Sequence, residues 1–400
     1  MLLSRARLLF GSLGFLALLG CYRSDSSYGY SPSSSYLVNG IAVSDVDGNG
    51  LPDILGLVST DFGGMPAQGY VSTRFQISAG AFALPPTRFG VGNGPANLIV
   101  TDVNGDGRPD LVVANADDRT VTVRMADPAR PGFFLPAIVL STPTRTPLDV
   151  AVGNLSGHTD GLKDIVVAAS GANSVLVFAQ TATSTFNAPV SYPVGGDPQA
   201  VTVADLDGNG LADIAVATSV NTVSVLLQTS AGVFAPEVDY ATGVQPVAIK
   251  AADLNGDGKL DLLTANFGAT TSPNNQGLSV LIQGAPGTFA APVNYATEYR
   301  ASGLAVGDLN GDGKPDVAVA CQGLPSSPGA VSVFLQDSAT PGALLPAVNY
   351  TGAYGPMGVA IADMDGDGHP DLVLADGDIV VRFNSATTPG TFGPPNFFYN

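Results

Sequence analysis

Nine residues, Asp253-Leu254-Asn255-Gly256-Asp257-Gly258-Lys259-Leu260-Asp261, place oxygen-bearing side chains at positions one, three, five and nine. Short carboxylate and amide groups at alternate positions of a tight turn can converge on one point. Hard cations such as calcium take roughly six to eight oxygens at about 2.3–2.6 Å. The glycine at position six, Gly258, permits the positive φ that folds the chain back around an ion. Position seven is chemically indifferent, being Leu51, Arg108, Leu211, Lys259, Lys314 or His369 in the intact copies. Its backbone carbonyl is therefore the expected further oxygen. An EF-hand shares the opening of this pattern but needs a glutamate at position twelve and flanking helices. Position twelve here is Gly56, Val113 or Thr264, and the flanks are short apolar runs bounded by turns. They read as strand, loop, strand.

Six intact copies open at Asp45, Asp102, Asp205, Asp253, Asp308 and Asp363, and a damaged one opens at Asn154, with successive openings 48 to 57 residues apart. That period marks a repeat architecture. The fourth unit shows the plan: strand A over 200–204, the loop 205–213, strand B over 214–218, strand C over 222–228 and strand D over 233–240. Strand D carries Phe, then Pro, then Tyr, as in Phe186/Pro189/Tyr192, Phe234/Pro236/Tyr240 and Phe289/Pro292/Tyr295. These aromatics are expected to pack between units, and the proline suits an outer edge that owes no ladder donor. Four strands in each of seven units predict an all-β fold, a seven-bladed β-propeller of four-stranded antiparallel blades. Residues 28–38 could add an edge strand where the ring closes.

Composition agrees. The 400 residues include 49 glycines and 30 prolines, with 45% apolar and only 12% charged residues. The net charge of −18 is largely local, because the six intact loops hold 19 of the 32 aspartates. Six divalent ions would cancel most of it. The acidity points to metal and excludes the basic footprint that nucleic acid requires.

Residues 1–20 read as an export signal, with Arg5 and Arg7 ahead of an apolar run from Leu8 to Leu19. That run is short for a membrane anchor. Leu18-Leu19-Gly20-Cys21 resembles a bacterial lipobox, in which the signal is cut before the cysteine and Cys21 is lipidated. An ordinary cleaved signal with an incidental cysteine, or an uncleaved helix, are the alternatives. Residues 21–35 are Ser-rich and read as a flexible tether, so the propeller is expected over 36–400. The location implied is an outer-membrane or cell-surface lipoprotein, otherwise periplasmic or secreted. With Cys21 acylated, Cys321 has no disulfide partner, and ions that bind only the folded state would supply stability instead.

The stretch Gly303-Leu304-Ala305-Val306-Gly307-Asp308-Leu309-Asn310-Gly311-Asp312-Gly313-Lys314-Pro315-Asp316-Val317-Ala318-Val319-Ala320 resembles the FG-GAP/VCBS repeat. The resemblance implies the seven-bladed propeller of integrin α-subunit heads, with calcium in the A–B loops, up to six ions here. It implies side-chain ligands Asp45, Asp47, Asn49 and Asp53 in the first loop and Asp102, Asn104, Asp106 and Asp110 in the second. The fourth would use Asp205, Asp207, Asn209 and Asp213, and the fifth Asp253, Asn255, Asp257 and Asp261. The sixth would use Asp308, Asn310, Asp312 and Asp316, and the seventh Asp363, Asp365, Asp367 and Asp371. The third departs from the pattern, with Asn154, Ser156, an insertion around His158-Thr159, then Asp160 and Asp164. With two carboxylates it is expected to bind metal weakly or not at all, a turn held by its own hydrogen bonds being the favoured reading. Family settings include cell adhesion and carbohydrate-related proteins.

No catalytic constellation stands out. The two histidines, His158 and His369, sit in loops and read as exposed, and Cys321 reads as a small packed residue. The Asp pairs could be taken for glycosidase carboxylates, but sixfold repetition favours metal. Between strands B and C the chain is longest at 61–69, 267–277 and 321–329, which would gather on the rim away from the metals. The expected function is non-enzymatic surface binding or adhesion with a glycan or protein ligand. A scaffold in a cell-envelope complex and a polysaccharide-acting enzyme are the alternatives.

Overall fold

A computed structural model describes residues 36–60, 68–268, 276–324 and 327–398. No helix occurs among them, and seven four-stranded antiparallel sheets follow one another along the chain. Blade 4 is typical: Pro198–Ala204 is strand A, Asp213–Thr218 strand B, Thr222–Leu226 strand C and Val238–Ala241 strand D. The seven-bladed propeller expected from the repeat is the fold.

Strands B are buried on both faces, as in Asp110–Asn115 and Asp316–Cys321. Their side chains alternate, so each strand feeds two cores. Ile54 and Val58 enter the seam between blades 7 and 1, while Leu55 and Leu57 enter that between blades 1 and 2. The described residues thus form seven separate apolar cores, one at each seam, instead of one centre. No blade can bury both faces alone. Strands A ring the axis, where Ile41, Leu98, Lys250, Leu304 and Val359 help line a cavity of about 410 Å³.

Strand D is shorter than expected. Val233–Phe234 does not run on into it but folds back on Gln228–Ser230 as a small ribbon, and Pro236 precedes Val238–Ala241. The same fold-back recurs in other blades, as in the pairings Gln76–Phe82, Gln180–Phe186 and Gln283–Phe289. The proline breaks the ladder between ribbon and strand because it has no N–H to give. Strand D is nonetheless the outer edge.

The aromatics do pack between blades. Tyr192–Phe234, Tyr240–Phe289, Tyr295–Phe334 and Tyr350–Phe392 meet edge to face across four consecutive seams, at centroid distances of 4.9 to 5.9 Å. The Tyr192, Tyr240 and Tyr350 hydroxyls also donate to the Gly232, Gly287 and Gly390 carbonyls of the next blade.

Ring closure uses no exchanged strand among the described residues. Blade 1 is Tyr36–Ser44, Asp53–Thr60, Gly69–Arg74 and Thr87–Gly90, and blade 7 is Gly358–Ala362, Asp371–Asp376, Asp378–Arg382 and Asn396–Phe398. Of the expected edge strand 28–38, residues 28–35 lie outside the described residues and 36–38 begin strand A of blade 1. Two backbone bonds bridge toward blade 7, Val38 N to Gly377 O at 3.0 Å and Gly80 N to Met364 O at 2.8 Å.

Candidate metal centres

Each of the six intact A–B loops is wound around its first aspartate. Asp205 Oδ1 accepts the N–H of Gly208 at 2.8 Å and of Asn209 at 3.1 Å, and its Oδ2 accepts that of Gly210 at 2.8 Å. Asp207 Oδ1 accepts from Asn209 N, and Asn209 Oδ1 from Leu211 N. Gly210 has φ of +85°, yet a Cβ there would meet nothing within 4 Å. Backbone conformation, and not crowding, requires that glycine.

Three loops bring three carboxylates together: Asp45, Asp47 and Asp53; Asp205, Asp207 and Asp213; Asp363, Asp365 and Asp371. In each, one oxygen per residue lies within 4.8 Å of the others. This all-oxygen set, with several negative charges and no cation among its members, fits a hard divalent ion. In the second, fifth and sixth loops Asn104, Asn255 and Asn310 stand at position three, offering an amide oxygen. There the position-five carboxylate is drawn to the basic residue at seven where the pair is close: Asp106 to Arg108 at 3.5 Å and Asp257 to Lys259 at 3.3 Å.

Position nine has a second task. It is the first residue of strand B in every blade and is fully buried: Asp53, Asp110, Asp164, Asp213, Asp261, Asp316 and Asp371. One oxygen accepts the N–H of the loop's second residue, and the other accepts an N–H two residues beyond strand C. For Asp213 these donors are Leu206 and Gln228, at 2.7 and 2.6 Å. The same pair of bonds recurs in all seven blades at 2.6 to 2.9 Å. Burial pushes the Asp53, Asp110, Asp213 and Asp371 carboxyls up to about 6, against the pull of these N–H bonds and with the help of neighbouring aspartates. Burial raises Asp261 and Asp316 as well. A bound cation would act in the opposite sense and hold them ionised.

The third loop keeps the strut and replaces the rest. Asp164 accepts from Leu155, Ser156 and Gln180. Asn154 closes on His158 through both amide atoms, at 2.6 and 2.8 Å. His158 is not the exposed residue expected: its ring is partly buried and its Nε2 lies 2.7 Å from Gln180 O. In the intact loops Asn49 and Asn209 donate to the equivalent carbonyls of Gln76 and Gln228. The imidazole therefore stands in for a loop amide, with Asp160 3.7 Å from its Nδ1 and Asp164 3.9 Å from its Nε2. His369 is partly exposed in the seventh loop, its N–H on Asp367.

The loops also lean on the following blade. The position-two carbonyl accepts a side-chain amide from it: Leu155 from Gln228, Leu206 from Gln283, Leu254 from Gln336, Leu309 from Asn384 and Met364 from Gln76. These residues mark the ends of strands C in the sequence, but their role across the seam was not legible there. Also unanticipated was Asp149 in strand A of blade 3, Thr146–Gly153. It accepts from Asn97 of blade 2, from Val150 and from Val201 of blade 4, joining three blades. Burial pushes it up to about 6, with Lys250 pulling the other way. Cys321 is fully buried, and burial raises its thiol to about 11, so it is a packed and unreactive residue.

Seven antiparallel blades with an acidic, glycine-hinged turn between strands A and B define a repeat-built propeller with candidate cation sites along one face. The chain belongs to the FG-GAP-like repeat family, whose pattern matches residues 45–113, 159–216, 205–264, 267–319 and 319–374, more than half of its length. No curated protein matches the sequence. Among solved structures it is similar to BBS1N in its complex with ARL6DN, soaked with lead, at 13% identity and a TM-score of 0.55 over 90% of this chain and 96% of that one. It is also similar to a functionally unknown protein from Desulfotomaculum acetoxidans DSM 771, at 14% identity and a TM-score of 0.54 over 82% and 96%. Such likeness shows the fold.

Proposed function

We propose that this chain is a calcium-binding, non-enzymatic binding or adhesion module, exported and held at a membrane surface through a lipid on Cys21. The observation that carries the metal reading is the carboxylate triad, seen at Asp45/Asp47/Asp53, Asp205/Asp207/Asp213 and Asp363/Asp365/Asp371. Calcium suits it better than magnesium, because a flexible loop of many oxygens can supply the higher coordination number. The side chains at positions one, three, five and nine of the six intact loops, with the position-seven carbonyls, are the assigned ligands. The third loop is left without an ion.

The ligand-binding surface is assigned to the rim opposite the metals. The B–C loops 61–69, 267–277 and 321–329 belong to it, although 61–67, 269–275 and 325–326 lie outside the described residues. Their bases are closed by the bonds Thr60 N to Gln68 O, Asn266 N to Gly277 O and Leu324 N to Ser327 O. Variable loops on a rigid frame are where binding concentrates. The ligand is a glycan or a protein of the cell envelope. Residues 22–400 are to be tested on an array of glycans and cell-wall polysaccharides, with calcium and again with EGTA. A ligand bound only with calcium supports this reading. Silence in both conditions removes the glycan and turns the search to co-purifying envelope proteins.

A further inference from the structure

We propose that the cation of the seventh loop is the clasp that keeps the ring closed, a role that no other loop shares. The inference rests on the reading that the acidic loops take divalent ions.

Six of the seven seams are spanned by the chain. Residues 242–245, for example, join strand D of blade 4 to strand A of blade 5, Pro246–Ala252. The seam between blades 7 and 1 has no such link among the described residues and exchanges no strand across it. Beside the Val38 N–Gly377 O bond and the apolar core of the seam, the polar contacts that close it converge on one peptide of the seventh loop. The Met364 carbonyl accepts the Gln76 side-chain amide and the Gly80 N–H of blade 1, the latter at 2.8 Å. The Met364 N–H is held at 2.8 Å by Asp371, itself a member of the Asp363/Asp365/Asp371 triad. Gly366 faces Ala79, so closely that a Cβ on it would lie 3.3 Å from the alanine, and Gly80 faces the Cβ of Asp365. The loop that holds the seam is also the one with aspartate at all four side-chain positions, Asp363, Asp365, Asp367 and Asp371. Without a cation their repulsion loosens the very turn on which blade 1 rests. Elsewhere a loosened loop leaves neighbouring blades tethered by a few residues, so parting them gains little freedom. At this seam parting is limited only by the contacts themselves.

The test compares equal injuries. Asp363→Asn with Asp365→Asn disables the seventh loop, and Asp205→Asn with Asp207→Asn disables the fourth. Calcium titration by calorimetry counts the ions, and hydrogen–deuterium exchange in excess calcium reads the seams. Each variant is expected to lose one ion. The seventh-loop variant is expected to speed exchange about tenfold or more in residues 38–44 and 371–382 together, whereas the fourth-loop variant leaves strand A of blade 5 within about twofold of the parent. Should the double variant not fold, Asp367→Asn, an exposed member of the same loop, serves as the milder probe with the same readout. Loss of the ion with no faster exchange at the 7/1 seam, or equal loosening at both seams, overturns the clasp while leaving the metal reading intact. A parent protein that binds no calcium overturns both.

Discussion

Adjacent blades 3 and 4 solve the same turn in two ways. The fourth loop spans nine residues and gathers Asp205, Asp207 and Asp213. The third is longer by two, and fills the same place with Asn154 closed on His158 and an imidazole on Gln180 O. Gly161 meets Gly105 of the second loop so tightly that a Cβ on it would stand 2.9 Å from the Gly105 Cα. Lys163 N then supplies the Val103 carbonyl with the cross-seam donor that a glutamine gives elsewhere. Only position nine is common to both loops. The fold therefore requires the buried carboxylate strut, and the other acidic positions are left free for the proposed ion.

The sharpest way to break this comparison is to remove the strut from each blade. Asp164→Ala and Asp213→Ala should each cost about 2–4 kcal/mol in EGTA, because each orphans buried backbone N–H groups. Denaturant unfolding measures it. Similar losses in the two blades support the shared strut; a loss confined to Asp213 would mean that the third blade is held otherwise.

Next in size is the response to calcium. Asp205→Ala should cost about 1 kcal/mol in EGTA, where it removes only partly exposed hydrogen bonds, and clearly more in excess calcium. Asn154→Ala should cost the same in both. Thermal melts of the two variants and the parent, with calcium and with EGTA, give the answer. A parent whose melting temperature ignores EGTA would remove the ion from the account.

The pH response should change sign with the ion. Asp53, Asp110, Asp213 and Asp371 stand at about 6 in the folded chain against an ordinary 3.8. A carboxyl raised by folding binds its proton more tightly when folded, so its contribution is complete below the ordinary value and is lost as pH rises through about 6. In EGTA the protein should grow more stable as pH falls from 7 toward 5. With calcium the same carboxylates are held ionised, protons compete with the ion, and stability should fall over that interval. Chemical denaturation at stepped pH measures both slopes.

What could be read from the sequence was what is local. Each loop carries its candidate ligands within nine residues, and the apolar runs of strands B announce themselves, so Asp253 to Asp261 and the seven blades were legible. Contacts between blades were not. Gln76 and Met364 lie 288 residues apart, and nothing near either one names the other. Asp149 sits in a strand whose counterparts in other blades are Asn97 and Ala200, so no repeat pattern marks it. Strand D was misread because Val233-Phe234 and Val238-Asp239-Tyr240 both look extended. The recurring glutamine at 76, 180, 228, 283 and 336, with a phenylalanine or leucine six to eight residues later, was the available sign of the ribbon.

The smallest effect is expected at that glutamine. Gln228→Ala removes the amide donated to Leu155 O, but Gly232 N still reaches the same carbonyl at 2.7 Å. The substitution also removes a buried Gln228 Oε1 that has no partner among the described residues. The two changes oppose each other, and the net loss should be about 1 kcal/mol or less. Blade 2 already shows the outcome: Ala126 stands at this position, its N–H still on Asp110 at 2.7 Å, and among the described residues Gly132 N alone serves the Val46 carbonyl. A larger loss in denaturant titration would mean that the side chain orders the ribbon as well as the seam, and it would set blade 2 apart as a blade compensated by some other contact. The Arg124 guanidinium, which reaches back to Gly90 O of blade 1 at 2.8 Å, is the first place to look for it.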